Sequence, residues 1–312
     1  MPRCRQAASL LALTSALSAA LLGGAAPQAR ADSLRYCDAP APLSAVQQGR
    51  LLRVSAIVKQ ELERSGASAA LVSRSGLNLR WFGMRYSHAG LSLLHSPDTR
   101  WAVRQLYFSC EEQQPRVFDQ GLAAFVLGTE DPKLGYLSVV PLPADAAERL
   151  AAAALDKPQA LALLASTYSA NAYAFSTVYQ NCNQWLVELM GWAWSGAHAQ
   201  GTAAAPRTAA QDWLKASGYE PSSVSLGWRP LTWLTVFSPW LNRDDHPEEE
   251  MAQARFRVSM PESIEAFVRA QWPLTERIEL CHTEQHVVLR KGWTPIADGC
   301  VPGEGDRVIA LD

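Results

Sequence analysis

Two residues in this sequence have the types and the setting for chemistry. Cys182 stands in Tyr179-Gln180-Asn181-Cys182-Asn183-Gln184-Trp185, at the predicted start of a helix. His88 opens the apolar run His88-Ala89-Gly90-Leu91-Ser92-Leu93-Leu94. A thiol at a helix start has unpaired backbone N–H groups and the positive helix end beside it, which favour a thiolate and can later hold an oxyanion. A thiolate nucleophile in turn needs a histidine to move its proton. Of the six histidines, His198 and His246 fall in predicted loops, His95 in a turn, and His282 and His286 beside a predicted disulfide. Only His88 opens a strand, where the backbone holds the ring in a fixed direction. Taken singly, both residues also have a plainer reading, Cys182 as a small buried hydrophobe and His88 as a structural or surface histidine.

Cysteine arithmetic makes Cys182 stand out. Arg3 and Arg5, an uncharged run from Ala7 to Ala26, and Ala29-Arg30-Ala31 read as a signal peptide over residues 1–31, cleaved before Asp32. An uncleaved anchor is the competing reading, and no later stretch approaches the ~18 apolar residues of a membrane helix. Cleavage removes Cys4 and leaves Cys37, Cys110, Cys182, Cys281 and Cys300, an odd number for an oxidising compartment. Cys281 and Cys300 lie close together in a stretch of strand and turn character, and we expect them to pair. Cys37 and Cys110 are expected to tie the mature N-terminus to the first β region. Cys182 is then left over.

The elements that must position these residues can be read from periodicity. Residues 42–65 repeat at helical spacing and end at Ser65-Gly66. Strands are expected at 69–73, 88–94, 101–108 and 134–141, with a hairpin turn at His95-Ser96-Pro97-Asp98. An alanine- and leucine-rich helix is expected over 144–168 and another from Cys182, with Asn181 as its N-cap. Residues 208–216 and 261–270 read as helices, 244–250 as a solvated acidic loop, and 277–290 contains a strand. The class is α+β, with helices around an antiparallel sheet.

The chain has 312 residues and a net charge of −2. Cleavage would remove three arginines and no acid, moving the charge to −5. No basic patch is present, which argues against a nucleic-acid partner. His282 and His286 lack a second zinc-ligand pair, and there is no glycine-rich phosphate loop, so neither metal nor cofactor is expected. Six of the eleven tryptophans, from Trp213 to Trp293, lie in the last third, where some are expected to line an apolar surface.

Arg85-Tyr86-Ser87-His88-Ala89-Gly90-Leu91 resembles the S-H-x-G strand of the circularly permuted papain-like hydrolases, which include NlpC-type peptidases and lecithin:retinol acyltransferases. In that group the histidine strand precedes the cysteine helix, and here His88 precedes Cys182 by 94 residues. Together with Leu71-Val72-Ser73-Arg74-Ser75-Gly76 and Gln180-Asn181-Cys182-Asn183-Gln184-Trp185, the segment more closely resembles the bacterial secreted family called domain of unknown function 2145. The resemblance runs over most of the mature chain. It implies a permuted papain-like core over 32–195, an antiparallel sheet on the cysteine helix, with a helical and Trp-rich extension over 196–312 packing on it. It also implies a third polar residue on the strand after His88. Alternation puts Trp101, Val103 and Gln105 on one face and Arg104 on the other. We choose Gln105, since a neutral amide can orient an imidazole whereas Arg104 would oppose an imidazolium. Family members often carry His or Glu there, a departure that puts full activity in question.

The expected function is a periplasmic or secreted cysteine hydrolase. Cys182 attacks an amide or ester carbonyl, His88 moves the proton and Gln105 orients His88. Arg74 either holds a nearby loop or binds a substrate carboxylate. Tyr86 lines the pocket or sits in the core, and Asn181 and Asn183 donate to the oxyanion or, for Asn181, simply cap the helix. The compartment suggests cell-wall peptides as substrate. Lipid acyl groups are the alternative on the same fold, and a non-catalytic envelope binding protein is the alternative of a different class.

Overall fold

A computed structural model describes residues 43–196, 205–227 and 240–311, all in one compact unit, Ala39–Asp312. The expected signal peptide and Cys37 lie outside the described residues, as do Trp228 and Trp233.

Helix α1 (Ala45–Ser65) opens with a capping box in which Ser44 and Gln47 satisfy each other's backbone N–H, and it closes on Gly66 at φ 70°. The strands β1 (Ala69–Arg74), β2 (His88–Leu93), β3 (Ala102–Ser109), β4 (Gln114–Gln120) and β5 (Gly135–Pro141) follow, with a short α2 (Leu122–Leu127) between the last two. The helical stretch expected over 144–168 is two shorter helices, α3 (Ala144–Leu155) and α4 (Lys157–Ala162). Asp156 ends the first and caps the second, accepting from Gln159 N–H at 3.1 Å, with Pro158 in the first turn where its missing N–H does no harm. Helix α5 (Cys182–Ser195) carries the cysteine. Then come α6 (Pro206–Ala216), β6 (Ser222–Ser225), α7 (Glu248–Ala252), β7 (Arg255–Val258), α8 (Pro261–Gln271), β8 (Ile278–His282), β9 (His286–Lys291) and β10 (Arg307–Ala310).

The class is α+β, with one eight-stranded antiparallel sheet in the order β10-β9-β8-β5-β1-β2-β3-β4. The C-terminal residues therefore do more than cover a core. Strand β8 pairs with β5, and β8 to β10 continue the same sheet. Val72, Val103, Val139, Leu280 and Val287 point to one face, where Leu51, Val54 and Leu62 of α1 and Phe125 of α2 bury them. Arg104 points to the opposite face, where its guanidinium meets the Ala154 carbonyl of α3, and α5 packs with α3 on this side. In the acidic stretch expected as a solvated loop over 244–250, Asp244 is exposed, the Asp245 and His246 side chains are buried, and Glu248 opens α7. Cys281 and Cys300 form the expected disulfide, with Cα atoms 5.6 Å apart. Cys110 is disulfide-bonded, and among the described residues Cys182 is the free cysteine.

Candidate active site

Helix α5 begins at Cys182 because Asn181 caps it. The Asn181 backbone is extended and its Oδ1 accepts the Gln184 N–H at 2.7 Å. Its Nδ2 is spent on the carbonyls of Ala170 and Ser259, so Asn181 is a cap that also ties down two loops. The segment before it, 163–181, has no helix or strand, only isolated bridges. Buried side chains of α5 and α6 collect its carbonyls instead. Gln184 reaches Tyr173 and Ser176, and Arg207 reaches Thr177 and Tyr179. Arg207 in turn pairs with the fully buried Glu188 at 2.8 Å, and Gln180 and Gln211 complete the carboxylate's bonds. A buried charge is tolerable only when its partners are this complete.

The Cys182 sulfur has four polar neighbours: its own N–H, the N–H of Asn183, the hydroxyl of the buried Tyr168 and, further out, the Arg74 guanidinium. All four favour the anion. Burial outweighs them and pushes the thiol up to about 11. His88 is affected in the opposite direction. Burial and Arg74 pull the imidazole down to about 3, and only the bond to Gln105 opposes them. At rest the thiol and the imidazole are therefore both neutral. Each keeps a partly exposed edge.

Gln105 is buried and its Oε1 meets His88 Nε2, while its Nε2 donates to Gln120 Oε1. With both amides placed this way, the arrangement puts the His88 proton on Nε2 and leaves Nδ1 as the acceptor. Gly90 makes the reach possible. A Cβ there would lie 2.4 Å from Val103 Cγ1, 3.2 Å from the Arg104 carbonyl oxygen and 3.5 Å from Gln105 Cβ. Only a glycine lets β2 lie this close to the strand that bears Gln105. Arg104, on the far face, pairs with Asp119 at 2.7 Å.

The cysteine helix and the histidine strand are joined by Asn183. Strand β2 pairs with β3 only over Leu91–Leu93, although it pairs with β1 down to His88. Where the β2–β3 ladder opens, Asn183 takes over. Its Oδ1 accepts the Ala89 N–H at 2.9 Å and its Nδ2 donates to the Ser87 carbonyl at 3.2 Å. A carboxamide bonded to the residues on either side of His88 copies the pattern of a neighbouring parallel strand. Its side chain is thus committed to β2 and is not a free donor, while its backbone N–H faces the sulfur.

Arg74 is the register partner of His88 on β1. Its guanidinium lies over the Phe125 ring at 5.4 Å and bonds the Gly128 carbonyl, and His88 lies 6.0 Å from the same ring. Gly76 and Gly128 make room for it, since a Cβ on either would come within 2.8 Å of its nitrogens. Tyr86 is not brought to the site. It is buried around the disulfide with Tyr136 and Ile296, and its hydroxyl donates to Glu279 at 2.6 Å. Sequence reasoning missed Tyr168 and Gln120. Tyr168 lies in a segment without periodicity, although its place 14 residues before Cys182 could have flagged it. Among the described residues no group of three or more His, Cys, Asp or Glu side chains could hold a metal ion, and no helix is long and apolar enough to cross a membrane.

A family model described as "Uncharacterized protein conserved in bacteria (DUF2145)" matches residues 61–268, a span holding Arg74, His88, Gln105, Tyr168, Cys182 and Asn183. No curated protein and no solved structure matches the chain.

Proposed function

Since the chain belongs to the bacterial DUF2145 family, we propose that it is a cysteine hydrolase with a permuted papain-like arrangement, acting on an amide or ester bond outside the cytoplasm. The observation that carries this reading is Asn183. Its carboxamide brackets His88 while its backbone N–H serves the Cys182 sulfur, so one residue ties the start of the cysteine helix to the histidine strand. In the first step the thiol proton passes to His88 Nδ1 as sulfur bonds the carbonyl carbon, and the carbonyl electron pair moves to oxygen. The N–H groups of Cys182 and Asn183 and the Tyr168 hydroxyl, all beside the sulfur, are the donors available to that oxyanion. The intermediate collapses to a thioester as His88 returns the proton to the leaving amine or alcohol. Water then gives a proton to His88 and attacks the thioester, and the departing sulfur recovers that proton. Gln105, held by Gln120, keeps Nε2 protonated throughout.

The compartment predicted from the sequence favours a cell-wall peptide, with a lipid acyl ester as the other substrate class. A test is the pre-steady-state release of p-nitrophenol from p-nitrophenyl acetate, followed by a peptide-amide and an acyl-ester panel. A burst equal to the enzyme concentration, lost in Cys182→Ala and slowed in His88→Ala, is expected. Equal rates in wild type and Cys182→Ala would overturn the proposal. The reading of a non-catalytic envelope protein is favoured by one observation, the neutral resting pair. It predicts no burst with any substrate.

A further inference from the structure

The connection between β1 and β2 carries an exposed apolar tip. Leu77, Trp81 and Phe82 are 42, 94 and 40% exposed. One exposed apolar side chain is ordinary, but a group of them among polar residues marks a contact surface. The connection has a definite structure. At its stem the Leu77 N–H donates to Ser87 Oγ at 3.0 Å, and the Ser87 N–H donates to the Arg74 carbonyl at 3.1 Å. Leu79 and Met84 turn inward onto Phe256, Val258 and Met260. Between those two anchors Arg80–Phe82 forms a single 3₁₀ turn. Gly83 closes it at φ 70°, a left-handed backbone that glycine adopts without strain, and its N–H donates to the Arg80 carbonyl at 2.9 Å. The inward anchors on either side leave Trp81 standing out of the turn.

The charge around the tip has one sign in the sequence. No acidic residue occurs between Glu63 and Asp98. Arg85 is paired with Glu279 and Asp298, and Glu130 comes to the connection at Asn78, whose N–H it accepts at 3.0 Å. Arg80, exposed beside Trp81, is the charge of the tip itself.

A protein partner would need a pocket shaped to this knob. A bilayer interface needs none, because it takes Trp, Phe and Leu at the depth of the headgroups and an arginine on the phosphates. We propose that the β1–β2 tip docks the protein on an anionic phospholipid surface, with Leu77, Trp81 and Phe82 in the headgroup–acyl boundary and Arg80 on lipid phosphate. The stems of the tip carry Arg74 and His88, so docking brings that end of the sheet to the lipid. This contact stands whether or not Cys182 is a nucleophile.

The test is co-sedimentation with vesicles of phosphatidylcholine and phosphatidylglycerol in equal parts, and with vesicles of phosphatidylcholine alone. It uses the chain from Asp32, which contains the whole compact unit Ala39–Asp312. Binding to the mixed vesicles, stronger than to the neutral ones, is expected. Trp81→Ser should weaken it about 10-fold or more, the value of one large apolar side chain. Arg80→Gln should weaken binding to the mixed vesicles about 5-fold and leave binding to the neutral ones unchanged. Leu274→Ser, at a fully exposed position on the α8–β8 connection, is the control and should change nothing. No sedimentation with the mixed vesicles, unchanged binding in Trp81→Ser, or an equal loss in Leu274→Ser would each overturn the proposal. Self-association that is lost in Trp81→Ser, without vesicle binding, would overturn it in favour of a protein contact.

Discussion

Replacing Gln105 by Glu tests the link between His88 and the reactivity of Cys182 with almost no change of shape. In the wild type the imidazole is held down at about 3 and the thiol up at about 11, so the neutral pair dominates at every pH between. A carboxylate on the same atoms would accept the Nε2–H of His88, and Gln120 would turn its amide over to donate to it. An opposite charge at hydrogen-bond distance favours imidazolium by about 1.4–4 kcal/mol. The imidazolium–thiolate population should rise by the same factor, roughly 10- to 1000-fold. The assay is alkylation of Cys182 by iodoacetamide, followed by intact mass from about pH 5 to pH 9. Wild type should react slowly, with a rate that climbs with pH. Gln105→Glu should react faster than wild type toward the acid end of the range, where the simple thiolate is rarest, and its rate should depend less steeply on pH. His88→Ala in the same background should remove the gain. An unchanged rate, or a gain that survives His88→Ala, would refute the claim that Gln105 acts on the thiol through His88.

Three further outcomes are expected. Gly90→Ala should destabilise the fold by about 1–3 kcal/mol through overpacking against Val103, and adding Val103→Ala should return part of it; urea unfolding measures both. Glu188→Ala leaves the buried Arg207 guanidinium without its partner and should cost about 3–5 kcal/mol, and a loss under about 1 kcal/mol would mean that other contacts hold segment 163–181. Stability should also depend on pH through His88. The unfolded chain takes up this proton near 6.5 and the folded protein only near 3, so stability falls as pH falls across that window. Glu265, raised to about 7, has the opposite sign, and its contribution is lost as pH rises from 4.5 to 7. Between about pH 6.5 and pH 4 the urea midpoint of His88→Gln should therefore drop less than that of the wild type.

What was legible in the sequence follows the range of the interactions. Period-two alternation is local, and it placed Gln105 on the face with Val103, where its side chain meets His88. Helix capping is local, and Asn181 before Cys182 caps as read. Tyr168 and Gln120 were not legible, because each acts across a tertiary contact with no periodic signal around it. Asn183 was read as a donor near the thiol, yet its carboxamide is committed to a strand 94 residues away. Strand β8 was found in outline, but nothing local says that it pairs with β5 and carries the sheet on through β9 and β10. The split of the 144–168 helix at Asp156 and Pro158 was written in the sequence and was overridden by its alanine content.

The bridge made by Asn183 also bears on how this chain comes to maturity. It joins segments that meet only once the β1–β2–β3 meander and α5 have docked, so until then Cys182 is an ordinary accessible thiol. In an oxidising compartment, as predicted for this chain, such a thiol competes for Cys281 and Cys300 by exchange, a reaction that runs through the thiolate. Docking raises the thiol from 9.0 to about 11, which cuts its thiolate about a hundredfold. The burial that leaves the resting pair neutral thereby shields the Cys182 thiol from mispairing and oxidation.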